Sequence, residues 1–255
     1  MLLEKAKAIV TGGASGLGRA TAQHIVAAGG QATLLDINDE AGNAAAKALG
    51  NDTRYVTTDV SSESAVQEAV KAAAEHMQGI TLAVNCAGIV APGRVLGREG
   101  PMASDYFART VMINLVGSFN IAKEAANVMQ HNDAEASGER GVIINTASVA
   151  AYEGQIGQAG YSASKGGVVG MTLPLARELA RFGIRVMTIA PGIFMTPMMA
   201  SLPDEVQQSL AAQIPFPPRL GTAEEYADLA AYIYTNTMLN GETIRLDGGI
   251  RMQPK

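Results

Sequence analysis

Short apolar runs along the chain alternate with longer segments whose apolar residues recur at helical spacing. Most of the short runs are apolar at consecutive positions, which is typical of parallel strands covered by helices on both faces. The predicted strands are Ala6–Thr11, Ala32–Asp36, Arg54–Thr57, Leu82–Asn85, Val142–Asn145, Ile184–Ile189 and Thr243–Leu246. The predicted helices are Leu17–Ala28, Glu40–Leu49, Glu63–Met77, Asp105–Met129, Ser162–Phe182 and Ala223–Tyr234. This alternation predicts an α/β fold in which one domain, residues 1–255, contains a doubly wound parallel sheet of about seven strands flanked by helices.

Two segments interrupt this alternation. Ala91–Met102 is rich in glycine and proline and follows the fourth predicted strand, so we expect a loop there. The range 193–218 contains five prolines, which preclude a single regular helix. Its three methionines, Met195, Met198 and Met199, suit an adaptable apolar wall. We interpret 193–218 as a lid-like excursion over a ligand, because long loops in compact domains are usually functional; an ordinary surface excursion is the alternative.

Composition and charge narrow the class of protein. The chain has 19 Lys and Arg against 24 Asp and Glu, and its net charge of −5 and pI near 5.3 argue against a surface for nucleic acid or an anionic membrane. No apolar run reaches the roughly 18 residues of a transmembrane helix, and the first predicted strand leaves no room for a signal peptide. Cys86 is the single cysteine, which excludes an intrachain disulfide and fits a reducing compartment. We therefore expect a cytoplasmic protein that binds neither nucleic acid nor membrane.

A glycine-rich turn follows the first predicted strand and opens the first predicted helix. Its candidate cofactor-binding residues are Gly12, Ser15, Gly16, Leu17 and Gly18. Glycines in such a turn let the backbone approach a pyrophosphate, and the helix N-terminus offers amide donors and a favourable dipole. Asp36, eighteen residues after Gly18, can accept hydrogen bonds from both ribose hydroxyls and would repel a 2′-phosphate. The turn and the carboxylate predict a Rossmann dinucleotide site for NAD rather than NADP, with a plain strand-to-helix connection as the alternative.

Four residues form a candidate acid–base group. Tyr161 and Lys165 are one helical turn apart, where an ammonium would lower the pKa of the tyrosine toward the working range of an acid–base catalyst. Ser148 follows the fifth predicted strand, at the sheet edge of the cofactor turn. Asn114 falls inside a predicted helix, where its propensity is unfavourable. Plain alternatives exist, since a Tyr–Lys pair at this spacing is common and an asparagine within a helix is usually a solvated surface residue.

These motifs together resemble those of the short-chain dehydrogenase/reductase family over essentially the whole chain. The Gly-x-x-x-Gly-x-Gly spacing of residues 12–18 is similar to that family's turn, and Asn114, Ser148, Tyr161 and Lys165 resemble its catalytic tetrad. Further matches extend the predicted cofactor-binding set to Asp59, Val60, Cys86, Ala87, Gly88, Pro191, Gly192, Phe194 and Thr196. Without the family, Asp59 is interpreted as the cap of a helix or turn, and Cys86 as a small buried residue with no assigned chemistry.

The resemblance implies hydride transfer between a secondary alcohol carbon and a nicotinamide. In this scheme Tyr161 takes the hydroxyl proton during oxidation and returns it during reduction, and Ser148 hydrogen-bonds the reacting oxygen. Lys165 binds ribose hydroxyls and tunes Tyr161, while Asn114 positions a water in the proton path. No metal is required, and the three histidines lie in no ligand-like spacing.

Within the family, the later half of the chain is similar to the type II 3-hydroxyacyl-CoA dehydrogenases, also called hydroxysteroid dehydrogenase type ten. The segments that carry this similarity are Gly141–Ala151, Tyr161–Leu173, Ile184–Pro191, Pro215–Gly221 and Ile244–Pro254. The similarity implies NAD-dependent interconversion of L-3-hydroxyacyl-CoA and 3-ketoacyl-CoA by a homotetramer, with Ser148, Gln155 and Tyr161 at the substrate. Val90–Ser104 departs most from this branch, which leaves the preferred acyl-chain length open.

Three other functions fit the same residues. A broad-specificity secondary-alcohol or hydroxysteroid dehydrogenase would use the same tetrad. A 3-oxoacyl-carrier-protein reductase normally uses NADPH, against which Asp36 argues. A non-catalytic NAD-binding scaffold is a different class of protein; loss of Ser148, Tyr161 or Lys165 would favour it, and all three are present.

Overall fold

A parallel sheet of seven strands forms the centre of the computed structural model, which describes residues 1–50, 53–200 and 203–254. The strands are β1 Lys7–Thr11, β2 Gln31–Asp36, β3 Thr53–Thr57, β4 Leu82–Asn85, β5 Leu96–Gly97, β6 Gly100–Pro101, β7 Gly141–Thr146, β8 Ile184–Pro191 and β9 Thr243–Leu246. β5 and β6 pair as a small antiparallel hairpin, and the others lie in the order β3-β2-β1-β4-β7-β8-β9. This order reverses direction between β1 and β4, where an open α/β sheet leaves a crevice at the carboxyl ends of its strands.

Helices cover both faces of the sheet, so the predicted Rossmann-type α/β fold is confirmed. The helices are α1 Gly16–Ala27, α2 Asp39–Leu49, α3 Glu63–Met77, α4 Ser104–Val111, α5 Gly117–Met129, α6 Ala159–Leu179, α7 Pro197–Ala200, α8 Asp204–Ala211 and α9 Ala223–Thr235. A π turn, Met112–Val116, joins α4 to α5, so the single helix predicted over this range contains a change in helical pitch. Within the described ranges, none of the helices has the length and apolarity that crossing a membrane requires.

Polar side chains fix where several helices begin. The Asn38 side chain accepts the Ala41 amide in the first turn of α2 at 3.0 Å. The Ser62 side chain accepts the Ala65 amide in the first turn of α3 at 3.3 Å. At the start of α9, Thr222 and Glu225 each accept the other's backbone amide in a capping box. These bonds satisfy amides that the first turn of a helix leaves without intrahelical partners, and so they stabilise each helix at a defined residue.

Alternate residues of the central strands face two separate apolar cores. One core, which includes residues of α1 and α9, takes Val10, Leu34, Val84 and Ile144. The other, which includes residues of α3 and α5, takes Ile9, Leu35, Ala83 and Ile143. Successive strand side chains point to opposite faces, so a strand buried on both sides is apolar throughout. The two cores hold the sheet rigidly and leave the carboxyl ends of its strands to carry the candidate site.

The 193–218 excursion contains α7 and α8. Met199 and Leu210 pack there with buried Ile214, Leu220 and Ile250 in a small apolar cluster. This cluster joins the excursion to the C-terminal part of the chain. The predicted wall residue Met198 has its side chain outside the described part of the structure. Opening and closing of the excursion as a lid stays a prediction.

Candidate active site

A cleft of about 360 Å³ lies at the carboxyl ends of the central strands, and many of the predicted site residues line it. Those residues are Leu17, Cys86, Gly88, Ser148, Gln155, Tyr161, Lys165, Pro191, Gly192, Phe194 and Thr196. They follow β1, β4, β7 and β8, which are neighbours in the sheet. The topology therefore assembles in one place side chains that are far apart along the chain.

The glycine turn between β1 and α1 is closely packed. Gly12 and Gly16 have φ angles of 63° and 52°, in the left-handed region that favours glycine. A Cβ atom on Gly18 would lie 2.4 Å from the carbonyl oxygen of Gly12, so a larger residue does not fit there. Ser15 precedes α1 but its side chain caps no amide, which leaves that helix terminus to an external acceptor. This geometry suits the pyrophosphate of a dinucleotide.

The Asp36 carboxylate lies beside the glycine turn at the end of β2. Its Oδ2 atom accepts the Ala14 amide at 3.1 Å, and its Oδ1 atom accepts the Asn38 amide at 3.1 Å. The two bonds fix the orientation of the carboxylate relative to the turn. A carboxylate accepts hydroxyl donors and repels a phosphate, and contact of Asp36 with the ribose of a cofactor stays a prediction.

The turn after β4 packs against the glycine turn. The Ala87 amide donates to the Thr11 hydroxyl at 3.0 Å, and a Cβ atom on Gly12 would lie 3.0 Å from the Ala87 nitrogen. The Cys86 sulfur lies 3.7 Å from the Tyr226 hydroxyl. Burial raises the pKa of the Cys86 thiol, so the sulfur is not a thiolate nucleophile at neutral pH. Cys86 is only partly exposed to solvent but lines the cleft, which differs from the buried small residue of the alternative interpretation, and its contact with a cofactor stays a prediction.

Asn114 lies in the π turn and is fully buried. Its Oδ1 atom accepts the Ile89 amide at 2.8 Å, while its Nδ2 atom donates to the Ile89 carbonyl at 2.9 Å and to the Ser164 hydroxyl at 3.0 Å. The side chain thereby fixes the turn after β4 against α6. The alternative of a solvated surface residue is wrong, because these three bonds satisfy the amide inside the protein. The placing of a water by Asn114 stays a prediction.

Ser148 and Tyr161 meet in the cleft. Ser148 follows β7, is 9% exposed, and its Oγ atom accepts the Ala150 amide at 3.1 Å. Burial raises the pKa of Tyr161, and a hydrogen bond with Ser148 opposes part of that rise. At neutral pH the Tyr161 phenol is therefore protonated and able to donate to an oxygen in the cleft.

Lys165 is 5% exposed on the same face of α6 as Tyr161. Its Nζ atom donates to the Thr146 carbonyl at 2.6 Å, and burial lowers the pKa of the ammonium to about 8. The expectation that this ammonium brings the pKa of Tyr161 below its usual value is wrong, because burial raises that pKa. Desolvation of the phenol dominates, and the lysine nitrogen is directed to a carbonyl oxygen rather than to the phenol oxygen.

The turn after β8 supplies Pro191 and Gly192 to the cleft, followed by Phe194 and Thr196. The Gly192 amide donates to β9 at 2.9 Å, and Phe194 is buried. The Thr196 hydroxyl accepts the Met199 amide at 3.3 Å at the start of α7. These contacts fix the backbone that is predicted to face the nicotinamide.

Gln155 enters the cleft from the loop between β7 and α6. Its Nε2 atom donates to the Gln253 carbonyl at 3.0 Å, and its backbone amide donates to the Gln158 side chain at 3.0 Å. The side-chain amide thus contacts the C-terminal segment, and its contact with substrate stays a prediction.

The remaining predicted site residues do not line the cleft itself. They are Gly12, Ser15, Gly16 and Gly18 of the glycine turn, with Asp36, Asp59, Val60, Ala87 and Asn114. The Asp59 carboxylate accepts the amide and the hydroxyl of Ser61 at 2.9 and 2.7 Å, as the alternative interpretation of a turn cap expects. Val60 is buried against Gly117. Contact of either residue with a cofactor stays a prediction.

The cleft also contains residues that the sequence analysis did not identify. They are Ile89, Val90, Thr146, Ala147, Val149, Ala150, Gln158, Ile193, Leu210 and Met252. All but Thr146 and Gln158 are apolar, and these apolar residues form with Met199 a wall suited to an apolar substrate chain. Met252 is near the C-terminus, and no local pattern predicts its place here, because long-range contacts determine it. Among the residues that the structure describes, no group of three His, Cys, Asp or Glu side chains could hold a metal ion.

Comparison with known proteins agrees with the class of enzyme that the fold and the cleft define. A family model described as short chain dehydrogenase matches residues 6–207, and the chain belongs to this family of oxidoreductases, which use NAD or NADP. Proteins of Bos taurus and Homo sapiens named 3-hydroxyacyl-CoA dehydrogenase type-2 are each 53% identical to it over 97% of this chain and 95% of their own length. The crystal structure of 3-hydroxyacyl-CoA dehydrogenase type-2 from Mycobacterium avium matches with a TM-score of 0.95 and 44% identity, covering 99% of this chain and 98% of that one.

Proposed function

We propose that this chain interconverts L-3-hydroxyacyl-CoA and 3-ketoacyl-CoA, with NAD as the hydride carrier. The observation that carries the proposal is the presence of Ser148, Tyr161 and Lys165 in one cleft with the turn at Pro191 and Gly192. Similar proteins of two mammals and a mycobacterium are named for 3-hydroxyacyl-CoA dehydrogenation, which supports the choice of substrate.

Tyr161 is the proton donor and acceptor of the proposed reaction. Its phenol is protonated at neutral pH because burial raises its pKa, so it can give a proton to a ketone oxygen and take one back from an alcohol. The Ser148 hydroxyl donates to the same oxygen and stabilises the negative charge that develops on it. When bound at this site, NADH would supply the hydride for reduction and NAD⁺ would accept it in oxidation.

Lys165 and Asn114 complete the set of four residues to which we assign the reaction. The Lys165 ammonium has three donors, and its bond to the Thr146 carbonyl leaves others for ribose hydroxyls. Asn114 fixes the turn after β4, on which Gly88 faces the cleft. Lys165 therefore binds the cofactor ribose and Asn114 positions a water in the proton path, while Ser148 and Tyr161 act on the reacting oxygen.

The choice of NAD over NADP rests on Asp36. Two backbone amides hold its carboxylate beside the glycine turn, where ribose hydroxyls are acceptable partners and a phosphate is not. The uncapped N-terminus of α1 and the close approach of Gly12 and Gly18 suit the pyrophosphate.

The test follows loss of reduced-nicotinamide absorbance with acetoacetyl-CoA, once with NADH and once with NADPH. We expect turnover with NADH to be at least about tenfold faster, because the Asp36 carboxylate repels the extra phosphate. Reduction of simple ketones or ketosteroids without reduction of the thioester would instead support a general alcohol or hydroxysteroid dehydrogenase. A preference for NADPH with carrier-protein thioesters would support a 3-oxoacyl-carrier-protein reductase. Binding of NADH without turnover of any carbonyl compound would support a scaffold.

We also propose that the enzyme is a homotetramer and acts in the reducing cytoplasm, where the free thiol of Cys86 persists. Phe107, Met112 and Phe119, on α4, the π turn and α5, are 39%, 42% and 44% exposed. An apolar surface of this kind suits burial by a second copy of the chain. A mass of four times 26.4 kDa in light scattering is expected, and a monomer at micromolar concentration would contradict the assembly.

A further inference from the structure

The C-terminal segment, residues 250–254, forms part of the substrate side of the cleft. Its backbone follows the loop between β7 and α6: the Ile156 amide donates to the Pro254 carbonyl at 3.0 Å. Gln155 donates to the Gln253 carbonyl at 3.0 Å, and the Met252 amide donates to the Glu153 carboxylate at 3.3 Å. These bonds place the Met252 side chain in the cleft wall beside Gln155.

A bidentate ion pair holds the loop between β7 and α6 against β9 and the C-terminal segment that follows it. Arg245 of β9 donates through Nη1 and Nη2 to the two oxygens of Glu153 at 2.7 and 3.0 Å. Its Nε atom donates to Asp247 at 2.7 Å, and Nη2 also reaches the Ile250 carbonyl at 3.0 Å. The hydrogen bonds from Arg245 lower the pKa of Glu153, so the carboxylate is ionised throughout the neutral range. Bidentate pairs of this kind fix geometry as well as charge.

The same ion pair reaches the cofactor side of the cleft. A Cβ atom on Gly192 would lie 2.9 Å from the Cα atom of Asp247, so these backbones are in direct contact. The Gly192 amide also donates to the Leu246 carbonyl at 2.9 Å. The chain from Leu246 to Met252 therefore runs from the predicted nicotinamide turn to the substrate wall, with Arg245 and Glu153 bridging it.

We propose that Met252 is a specificity-determining residue for acyl-chain length, and that Glu153 and Arg245 are positioning residues that hold it and Gln155 in place. This inference rests on the proposed function for its substrate class. The Met252 side chain is partly exposed and packs with the apolar cluster of Ile214, Leu220 and Ile250, so it forms one boundary of the cleft beside Met199 and Leu210 of the 193–218 excursion. A boundary made by an unbranched thioether limits the length of an apolar chain without adding a polar contact.

Substitution of the boundary residue tests the first half of the proposal. kcat/KM is measured for acetoacetyl-CoA, 3-ketooctanoyl-CoA and 3-ketododecanoyl-CoA with wild type, Met252→Ala and the control Met238→Ala, whose parent side chain is 90% exposed. We expect Met252→Ala to raise the ratio of kcat/KM for 3-ketododecanoyl-CoA to kcat/KM for acetoacetyl-CoA by about tenfold. The smaller side chain opens space for one or more additional methylene groups. Met238→Ala should leave the ratio unchanged. A ratio for Met252→Ala within about twofold of wild type would overturn the assignment.

Removal of the Glu153 charge tests the positioning role. Glu153→Gln should raise KM for the thioesters by about fivefold and shift the chain-length ratio, with kcat and the NADH dissociation constant close to wild type. Glu153→Asp, which retains the charge, should recover part of the loss, whereas the exposed Glu75→Gln should change nothing. A fall in kcat at unchanged KM would contradict the positioning role. If Glu153→Gln is not folded by circular dichroism, the Met252 series decides the proposal, because it removes no ion pair.

Failure of the proposed function gives a different result from failure of this inference. If wild type reduces no 3-ketoacyl-CoA, the proposed function is wrong, and the same variants are then compared on a series of 2-alkanones of rising length. A shift of the length ratio in Met252→Ala on that series would support the wall assignment, and its absence would overturn it.

Discussion

The Nζ atom of Lys165 lies 5.8 Å from the centre of the Tyr161 ring and donates to the Thr146 carbonyl at 2.6 Å. The lysine is thus held near the phenol while its hydrogen bond is made elsewhere. Burial raises the pKa of Tyr161 and lowers that of Lys165, because the low-dielectric cleft disfavours the charged form of each group. The resting site therefore holds a protonated phenol, which is the form that ketone reduction requires.

Loss of the Tyr161 hydroxyl should remove the proton donor and leave the cofactor site. Tyr161→Phe is expected to lower kcat for acetoacetyl-CoA reduction by at least about 10³-fold, with NADH binding by fluorescence titration retained. Tyr232→Phe, whose parent ring is 58% exposed, is the matched control and should keep full activity. A Tyr161→Phe enzyme with near-normal kcat would show that another group transfers the proton.

Substitution of Ser148 should change both the pH dependence of alcohol oxidation and the value of kcat. Alcohol oxidation needs the phenolate of Tyr161, so its rate rises as pH rises through the pKa of that phenol. The hydrogen bond with Ser148 lowers this pKa, so Ser148→Ala should move the rising limb to higher pH. It should also reduce kcat by about 10²-fold through loss of a donor to the developing oxyanion. The exposed Ser137→Ala is the control, and an unshifted limb in Ser148→Ala would contradict the assigned hydrogen bond.

Burial of the Lys165 ammonium should cost stability at neutral pH. Its pKa falls from 10.5 to about 8 on folding, so the unfolded chain binds more protons between these values and the free energy of unfolding rises with pH there. Below pH 8 the full penalty, on the order of 3 kcal/mol, opposes folding. Lys165→Met should therefore have a larger free energy of unfolding than wild type at pH 7. The gain should be smaller than the full penalty because the hydrogen bond to Thr146 is lost, and it should shrink toward pH 10.

Urea unfolding at pH 7 and at pH 9.5 measures this difference. Lys47→Met, which removes an exposed ammonium from α2, should show little dependence of the difference on pH. An advantage of Lys165→Met that grows with pH would contradict the sign derived from the lowered pKa.

Asp36 should set the preference between the two nicotinamide cofactors. Asp36→Ala removes the charge that faces a 2′-phosphate and the acceptor for ribose hydroxyls, so the ratio of kcat/KM for NADH to that for NADPH should fall by about 10²-fold. Asp133→Ala, an exposed carboxylate that lines a different surface groove from the cleft, is the control. An unchanged ratio in Asp36→Ala would show that a different group repels the phosphate.

Local patterns were sufficient to predict most of the fold. The apolar periodicity of Glu63–Met77 predicts α3 with the bounds that the structure has, because the Ser62 side chain accepts the Ala65 amide in the first turn and a left-handed Gln78 ends the helix. Strand Leu82–Asn85 is likewise found as predicted, since a short apolar run buried on both faces has few alternatives. The family resemblance further predicted that Ser148, Tyr161 and Lys165 act together; the three residues line one cleft, and their catalytic roles stay a prediction.

Features that depend on long-range contacts could not be predicted. Asn114 has the pattern of a surface residue, and only its bonds to Ile89 and Ser164 explain why a polar side chain is buried in a π turn. The Glu153–Arg245 pair joins residues 92 positions apart, and no spacing rule connects them. The direction of the pKa shift of Tyr161 depends on burial, which a helical spacing of four residues does not report.

The strand order has a consequence for how this enzyme could be altered by recombination. Asp36 and the glycine turn lie within the first 36 residues, on β1 and β2, whereas Glu153, Arg245 and Met252 belong to the β7 to β9 half of the sheet. In the sheet the two halves join at the neighbouring strands β1 and β4, and α1 of the first half shares an apolar core with α9 of the second. We therefore expect exchange of the first 36 residues between relatives to alter coenzyme choice alone, provided that Ala22 and Ile25, the α1 residues that share a core with α9, are kept.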